Sequence, residues 1–263
     1  MSLPQEIIDE VIDNLAFDFR ALKSTSLVQK SWTHRSRRRL FYFVPINSFS
    51  RLEQWSLFIS SDPKGIASYP RVIHLSHDTP KSWVEPANLD KLYDHFRSFS
   101  GVERLVISGL ETTKFDPIST PRYFGNFAAT VRSLELQTAV GPPASLLSFI
   151  CAFPLVDDLA VKFPNTTVGG GGNHGEATPP ASVPSFKGKL RLLDMFNEST
   201  PLVELLCALP LPFHTIWVSS RDTGRLPQLT KLVSKCCKSL RSLHITKMTH
   251  GMNFAHPSIS VRD

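Results

Sequence analysis

The chain of 263 residues is poor in the groups that announce chemistry. It has only four cysteines, Cys151, Cys207, Cys236 and Cys237. No C-x-x-C spacing occurs, and the last two are adjacent, which is poor geometry for pairing with each other, so neither a disulfide framework nor a thiolate metal knuckle is expected. His-x-x-x-His zinc spacing, the G-x-S-x-G nucleophile elbow and the kinase loop signatures are all missing. No apolar run approaches the ~20 residues that span a bilayer. The nearest, from Ser145 to Val156, is interrupted by Pro154. The N-terminus lacks the charged-then-apolar run of a secretory signal. These absences predict a non-enzyme with reduced thiols, cytoplasmic or nuclear, with no metal, no cofactor and no membrane partner. The sequons at Asn165 and Asn197 carry no weight without secretion.

What is present begins with short amphipathic helices. Ile7, Ile8, Val11, Ile12 and Leu15 fall at the spacing of one wide face of a helix. Pro4 suits a first helical turn, where a missing N–H costs nothing. Glu6, Asp9, Glu10 and Asp13 face away from the apolar stripe. Asp18 is a good N-cap for a second helix holding Phe19, Leu22, Leu27 and Val28. A third amphipathic stretch, from about Ser31, sets Trp32, Leu40 and Phe41 against Arg35, Arg37, Arg38 and Arg39. That basic run supplies much of the formal net charge of +6 and reads as a solvated helix face. A unit this small carries more apolar surface than it can bury, so it needs a neighbouring core or an outside partner.

In order and spacing this segment resembles the F-box family. The matching pattern is Leu-Pro-x-Glu-Ile-Ile-x-x-Val-Ile-x-x-Leu, then an Asp-led helix, then Ser-Leu-Val-x-x-x-Trp and Leu-Phe. It spans residues 2–44, about a sixth of the chain. The wording around Ser-Leu-Val and Arg-Arg-x-Leu-Phe looks especially like F-box proteins of mushroom-forming fungi. Phe41-Tyr42 stands where many members carry Trp, and still supplies an aromatic. The resemblance implies three helices that dock on the Skp adaptor, and through it on a cullin scaffold, in an SCF-type ubiquitin ligase. Carried onto this chain, the adaptor-binding set is Leu3, Pro4, Ile7, Ile8, Val11, Leu15, Leu22, Leu27, Val28, Trp32, Leu40 and Phe41. Sequence does not divide this set between internal core and partner face; Leu3 and Pro4, lying before the first helical face, favour direct contact.

After a helical linker over 45–68, strand-like pieces recur across residues 69–250. They run over 71–75, 102–107, 131–136, 155–161, 190–195, 214–218 and 240–245, several sharing an apolar-x-x-Leu-x-apolar pattern. Their last residues, 75, 107, 136, 161, 195, 218 and 245, step by 32, 29, 25, 34, 23 and 27. Amphipathic helices are expected at 88–96, 144–150, 201–207 and 229–236. One strand and one helix per unit predicts an α/β repeat, an irregular leucine-rich-repeat solenoid. The competing architecture is a doubly wound α/β domain. Short strands with one apolar face, and no Gly-rich phosphate loop after the first, favour the solenoid.

Residues 164–185, with Gly169 to Gly172, predict a flexible loop. Gly₄ is no phosphate cradle, because no Lys-Ser/Thr follows it. Residues 251–263 form a tail without an evident capping element. Asp157 and Asp158, being neighbours on a strand, point to opposite faces and cannot share a substrate.

Two functions are expected to compete. In the first, the chain is a substrate-recognition adaptor whose repeats hold an unknown substrate protein, with no nucleic acid partner. Arg71, Glu103, Arg104, Arg132, Glu135, Asp158, Arg191 and Arg241 are its candidate repeat-face residues. In the second, it is a scaffold unrelated to ubiquitin that binds an acidic protein or nucleic acid through its basic balance.

Overall fold

The computed structural model describes residues 4–15, 18–61, 65–76, 86–110, 119–138, 142–162, 188–195, 203–204, 206–207, 213–220 and 226–247. Leu3, the 164–185 segment and the 251–263 tail lie outside the described residues.

Three helices come first: α1 (Gln5–Asn14), α2 (Phe19–Val28) and α3 (Lys30–Leu40). Pro4 sits one residue ahead of α1, and its carbonyl accepts the Ile8 N–H at 3.2 Å. The Asp18 carboxylate accepts the Ala21 N–H at 2.9 Å and so caps α2. Gln29 is extended, which breaks α2 from α3. Across that break Thr33 Oγ1 donates to the Ser26 carbonyl at 2.9 Å, and the hydroxyls of Thr25 and buried Ser36 share a 2.9 Å bond. Ile8, Ile12 and Leu22 form the small core of this unit, with Leu15, Trp32 and Leu40 half-buried against it.

The rest is a parallel sheet with helices. β1 (Phe43–Ile46) leads to α4 (Phe49–Ser61), then a short 3₁₀ turn (Ile66–Ser68) and β2 (Val72–Leu75). Then follow α5 (Pro86–Phe96), β3 (Arg104–Ser108), α6 (Ser119–Ala128), β4 (Ser133–Gln137), α7 (Pro143–Cys151) and β5 (Asp158–Lys162). β6 (Gly188–Met195), β7 (Phe213–Ser220), α8 (Leu226–Cys236) and β8 (Ser242–Lys247) complete it. All eight strands pair in parallel with their neighbours in sequence, from β1 to β8 without a reversal. The protein is therefore of the α/β class. A doubly wound sheet needs a point where the strand order turns back, and none occurs here.

Register explains the sequence pattern. One transverse row holds Val44, Ile73, Leu105, Leu134, Leu159, Leu190, Ile216 and Leu243. A second holds Ile46, Leu75, Ile107, Leu136, Val161, Leu192, Val218 and Ile245. Both rows point to the same face, because side chains alternate along a strand. There all but Ile245, which is 42% exposed, join one core with the buried residues of α4 to α8, including Leu52, Leu92, Phe96, Phe127, Leu147 and Leu232. Phenylalanines line that core in chain: Phe127 lies 4.8 Å from Phe96, which lies 5.5 Å from Phe124, itself 5.4 Å from Phe149.

All seven expected strands are present, with ends shifted by a few residues. β1 was not anticipated; it falls within the stretch read as the end of the first unit and the start of a helical linker. α6 was not anticipated either. Of the helix expected over 201–207, only Val203, Glu204, Leu206 and Cys207 are described, all helical. In β6 the residue in register with Val161 and Val218 is Leu192, not Met195, which pairs with Ser220 beyond an irregularity. The second apolar row therefore steps by 29, 32, 29, 25, 31, 26 and 27, a tighter spread than sequence alone predicts.

Backbone bonds repeat at the strands' leading edge. The carbonyl of Tyr42 accepts the N–H groups of Arg71 and Val72; that of Arg71 accepts Glu103 and Arg104. Glu103 accepts Arg132 and Ser133, and Arg132 accepts Asp157 and Asp158. The series reaches Gly188, whose φ is 145° and where an added Cβ would lie 1.8 Å from the Asp157 carbonyl oxygen. Only glycine fits there.

Candidate functional site

Two surfaces are candidates. The first is the outside of the N-terminal helices. The wide apolar face of α1 is divided by the fold: Ile8 and Ile12 point inward, while Ile7 and Val11 remain 45% and 46% exposed. On α2, Leu22 is inside, whereas Phe19, Leu27 and Val28 are 54%, 81% and 66% exposed. Pro4 is exposed as well. The fold draws the division that sequence leaves open for three residues of the expected docking set. Ile8 and Leu22 are core, closed off by their own helices. Phe41 packs instead on the sheet's core, 6.0 Å from Trp55 and 5.5 Å from Phe58. Leu15, Trp32 and Leu40 are half-buried against the small core. The indole N–H of Trp32 is buried without a hydrogen-bond partner.

The basic run of α3 is not simply a solvated face. Arg35 and Arg39, one turn apart, both grip Asp13 of α1: Arg35 Nε and Nη2 donate at 2.9 and 2.5 Å, and Arg39 Nε at 2.7 Å. Bonds from Arg39 and then Arg35 hold the Asp13 carboxyl well below the usual carboxylate range, against a smaller opposing effect of burial. Arg37 and Arg38 point to solvent.

The second surface is the face of the sheet opposite the helices. Its residues alternate with the two apolar rows: Arg104, Ser133, Asp158, Lys189, Thr215 and Ser242 in one line, and His74, Glu135, Arg191, Trp217 and His244 in the next. Among the expected candidates, Arg104, Glu135, Asp158 and Arg191 stand on this face. Arg71, Glu103, Arg132 and Arg241 sit just before the strands, at their leading edge. Charges bridge neighbouring strands: Arg71 to Glu103 and Arg104 to Glu135, both at 2.6 Å, and Arg191 to both oxygens of Asp158 at 3.0 and 2.9 Å. Burial raises the Glu135 pKa. Hydrogen bonds from Gln137 and Arg104, with the charges of Arg104 and Arg191, outweigh it and leave the carboxyl lowered.

His74 Nε2 lies 3.0 Å from Ser108 Oγ, which resembles a base beside a nucleophile. The geometry argues otherwise. Ser108 donates its proton to Gln137 Oε1 at 3.0 Å, so the imidazole is a donor to the serine rather than its base. Burial also pushes His74 below its ordinary value, partly opposed by the charge of Glu135. Three of the four thiols are withdrawn from solvent, Cys207 and Cys236 buried and Cys151 half-buried, and burial pushes Cys151 up to about 11; Cys237 is exposed. Among the described residues, no group of three or more His, Cys, Asp or Glu side chains is placed to hold a metal ion. Among them, too, no helix is long and apolar enough to cross a membrane.

Sequence reasoning pointed to the charged positions of this face but not to Trp217 or Lys189. The signal was available: both alternate with core residues, Trp217 between Ile216 and Val218, and Lys189 just before Leu190.

Comparison with protein-family models, with curated proteins and with solved structures finds no match to this chain in any of the three.

Proposed function

We propose that the chain is a substrate-recognition adaptor of an SCF-type ubiquitin ligase. Its three N-terminal helices dock on the Skp adaptor, and its strands and helices form an irregular leucine-rich-repeat solenoid that holds a substrate protein. The chain makes and breaks no bond itself; it raises the effective concentration of substrate lysines near a recruited conjugating enzyme.

The observation that carries the proposal is the split of the amphipathic faces. Among the described residues, Ile7, Val11, Phe19, Leu27 and Val28 stay exposed around a core of three buried apolar side chains. Scattered exposed apolar residues are ordinary on any surface. Five of them on two short helices, three being more exposed than buried, fit a surface that a partner completes. The F-box-like order of the same residues names the partner. The solenoid reading draws on eight parallel strands in sequence order at intervals of 25 to 32 residues.

Co-purification tests it. Tagged full-length chain is expected to retain a co-expressed Skp adaptor, and Leu27→Asp with Val28→Asp to release it with thermal unfolding unchanged. Failure of the wild-type chain to retain the adaptor overturns the proposal.

A further inference from the structure

The face of the sheet opposite the helices is electrically lopsided. On β1 to β4 its charged residues are Arg104 and Glu135, which neutralise one another at 2.6 Å. Around them lie apolar Phe43, Pro45, Val72 and Val106 and a hydrogen-bonded chain, His74 to Ser108 to Gln137 to Glu135, at 3.0, 3.0 and 2.7 Å. On β5 to β8 the described side chains of the same face include three cations, Lys162, Lys189 and Arg191, and one carboxylate, Asp158. Lys189 is exposed.

Aromatic surface lies beside those cations. Trp217 is directly in register with Arg191 on one side and His244 on the other. The Trp217 and His244 rings are 4.5 Å apart with 35° between their planes, and Ser242 Oγ holds His244 Nε2 at 2.7 Å. Arg191 is itself held by both oxygens of Asp158. Guanidinium, indole and imidazole therefore stand in one line across three strands, fixed from both ends.

We infer that this line, with Lys189 beside it, binds a short acidic peptide segment that carries an aromatic side chain. Three adjacent strands span about 10 Å, which an extended peptide covers with about three residues. An Asp or Glu over Lys189 and an aromatic residue two or three positions away over Trp217 and His244 match both chemistries. Single-stranded nucleic acid fits less well: it asks for several stacking platforms along a continuous basic groove. Here the two aromatic pairs, Phe43–His74 and Trp217–His244, stand at opposite ends of the sheet, and the positive charge stops at β5. The inference refines the proposed function by naming the substrate class, and rests on it only for calling the peptide a substrate.

The test uses purified full-length chain without adaptor, so that its outcome is independent of adaptor capture. The probe is a fluorescein-labelled peptide of alternating Glu and Tyr, followed by fluorescence anisotropy. Saturable binding is expected, weakening as salt shortens the Debye length from about 30 Å at 0.01 M to about 3 Å at 1 M. Lys189→Glu, at an exposed position, is expected to weaken it by about fivefold or more, and Trp217→Ala comparably. Far-UV circular dichroism verifies that each variant keeps its fold. Absence of binding at millimolar protein overturns the inference, as does equal binding of a Lys-Tyr peptide. Binding indifferent to Lys189→Glu, or tighter binding of oligothymidylate, also overturns it.

Discussion

Leu40 and Phe41 are neighbours in the chain and belong to different cores. Leu40 packs on Ile8, Ile12 and Leu22; Phe41 packs on the sheet's core, beside Trp55 and Phe58. On the N-terminal side of that boundary, among the described residues, three helices share three buried apolar side chains and leave five large apolar ones exposed. On the other side, two rows of strand residues, all but Ile245 turned from solvent, and the helices over them close a continuous core, and the opposite face is largely polar. A short unit has too little interior to bury its own apolar residues, whereas each added strand and helix extends an existing interior. The small unit holds its helices together partly by charge, through Asp13, Arg35 and Arg39. The larger one relies on stacked phenylalanines and backbone bonds repeated at each strand.

The sharpest way to separate the two regions is to damage one core. Phe127→Ala removes a fully buried ring from the phenylalanine chain and is expected to cost about 3–5 kcal/mol. Chemical denaturation would register it as loss of the sheet's transition. Gly188→Ala comes next: its methyl would collide with the Asp157 carbonyl at a φ of 145°, and a cost of about 2 kcal/mol or more is expected in the same assay. Asp13→Asn acts on the other region. It cuts the bridge from α1 to α3 and is expected to cost about 1 kcal/mol, seen as faster hydrogen exchange in α1 to α3 with the strands unaffected. Equal loosening of the strands would mean that the two cores unfold as one.

The smallest effect concerns pH. Burial holds the folded His74 imidazole below its ordinary value of 6.5, so the unfolded chain takes up the proton first. Its contribution is therefore neutral above pH 6.5 and destabilising as pH falls below it. Melting temperature is expected to fall slightly more steeply below pH 6.5 in the wild type than in His74→Gln. Parallel curves would remove His74 from the account.

Much of the architecture was legible in the residues. Seven strands, the Asp18 cap and the apolar face that the strands share follow from period and punctuation. β1 was not legible: it has four residues and contains Pro45, which a strand tolerates at a sheet edge but which reads as a breaker. α6 opens Ser119-Thr120-Pro121 and contains Gly125, so its propensity is poor, and packing of Tyr123, Phe124 and Phe127 makes it a helix. Periodicity gave the apolar stripe of α1 but could not say that Ile8 and Ile12 face inward and Ile7 and Val11 outward. That division depends on where α3 crosses, which local sequence does not contain. The grip of Arg35 and Arg39 on Asp13 was hidden for the same reason, being a contact between residues more than twenty positions apart.

The account turns on whether the exposed side of the small helical unit is completed by an adaptor. Hydrogen–deuterium exchange of the full-length chain, with and without the Skp adaptor, tests this directly. The expected result is slowed exchange over Gln5–Asn14 and Phe19–Val28 when the adaptor is added, with β2 to β8 unchanged. Exchange in both helices that is indifferent to the adaptor would contradict it.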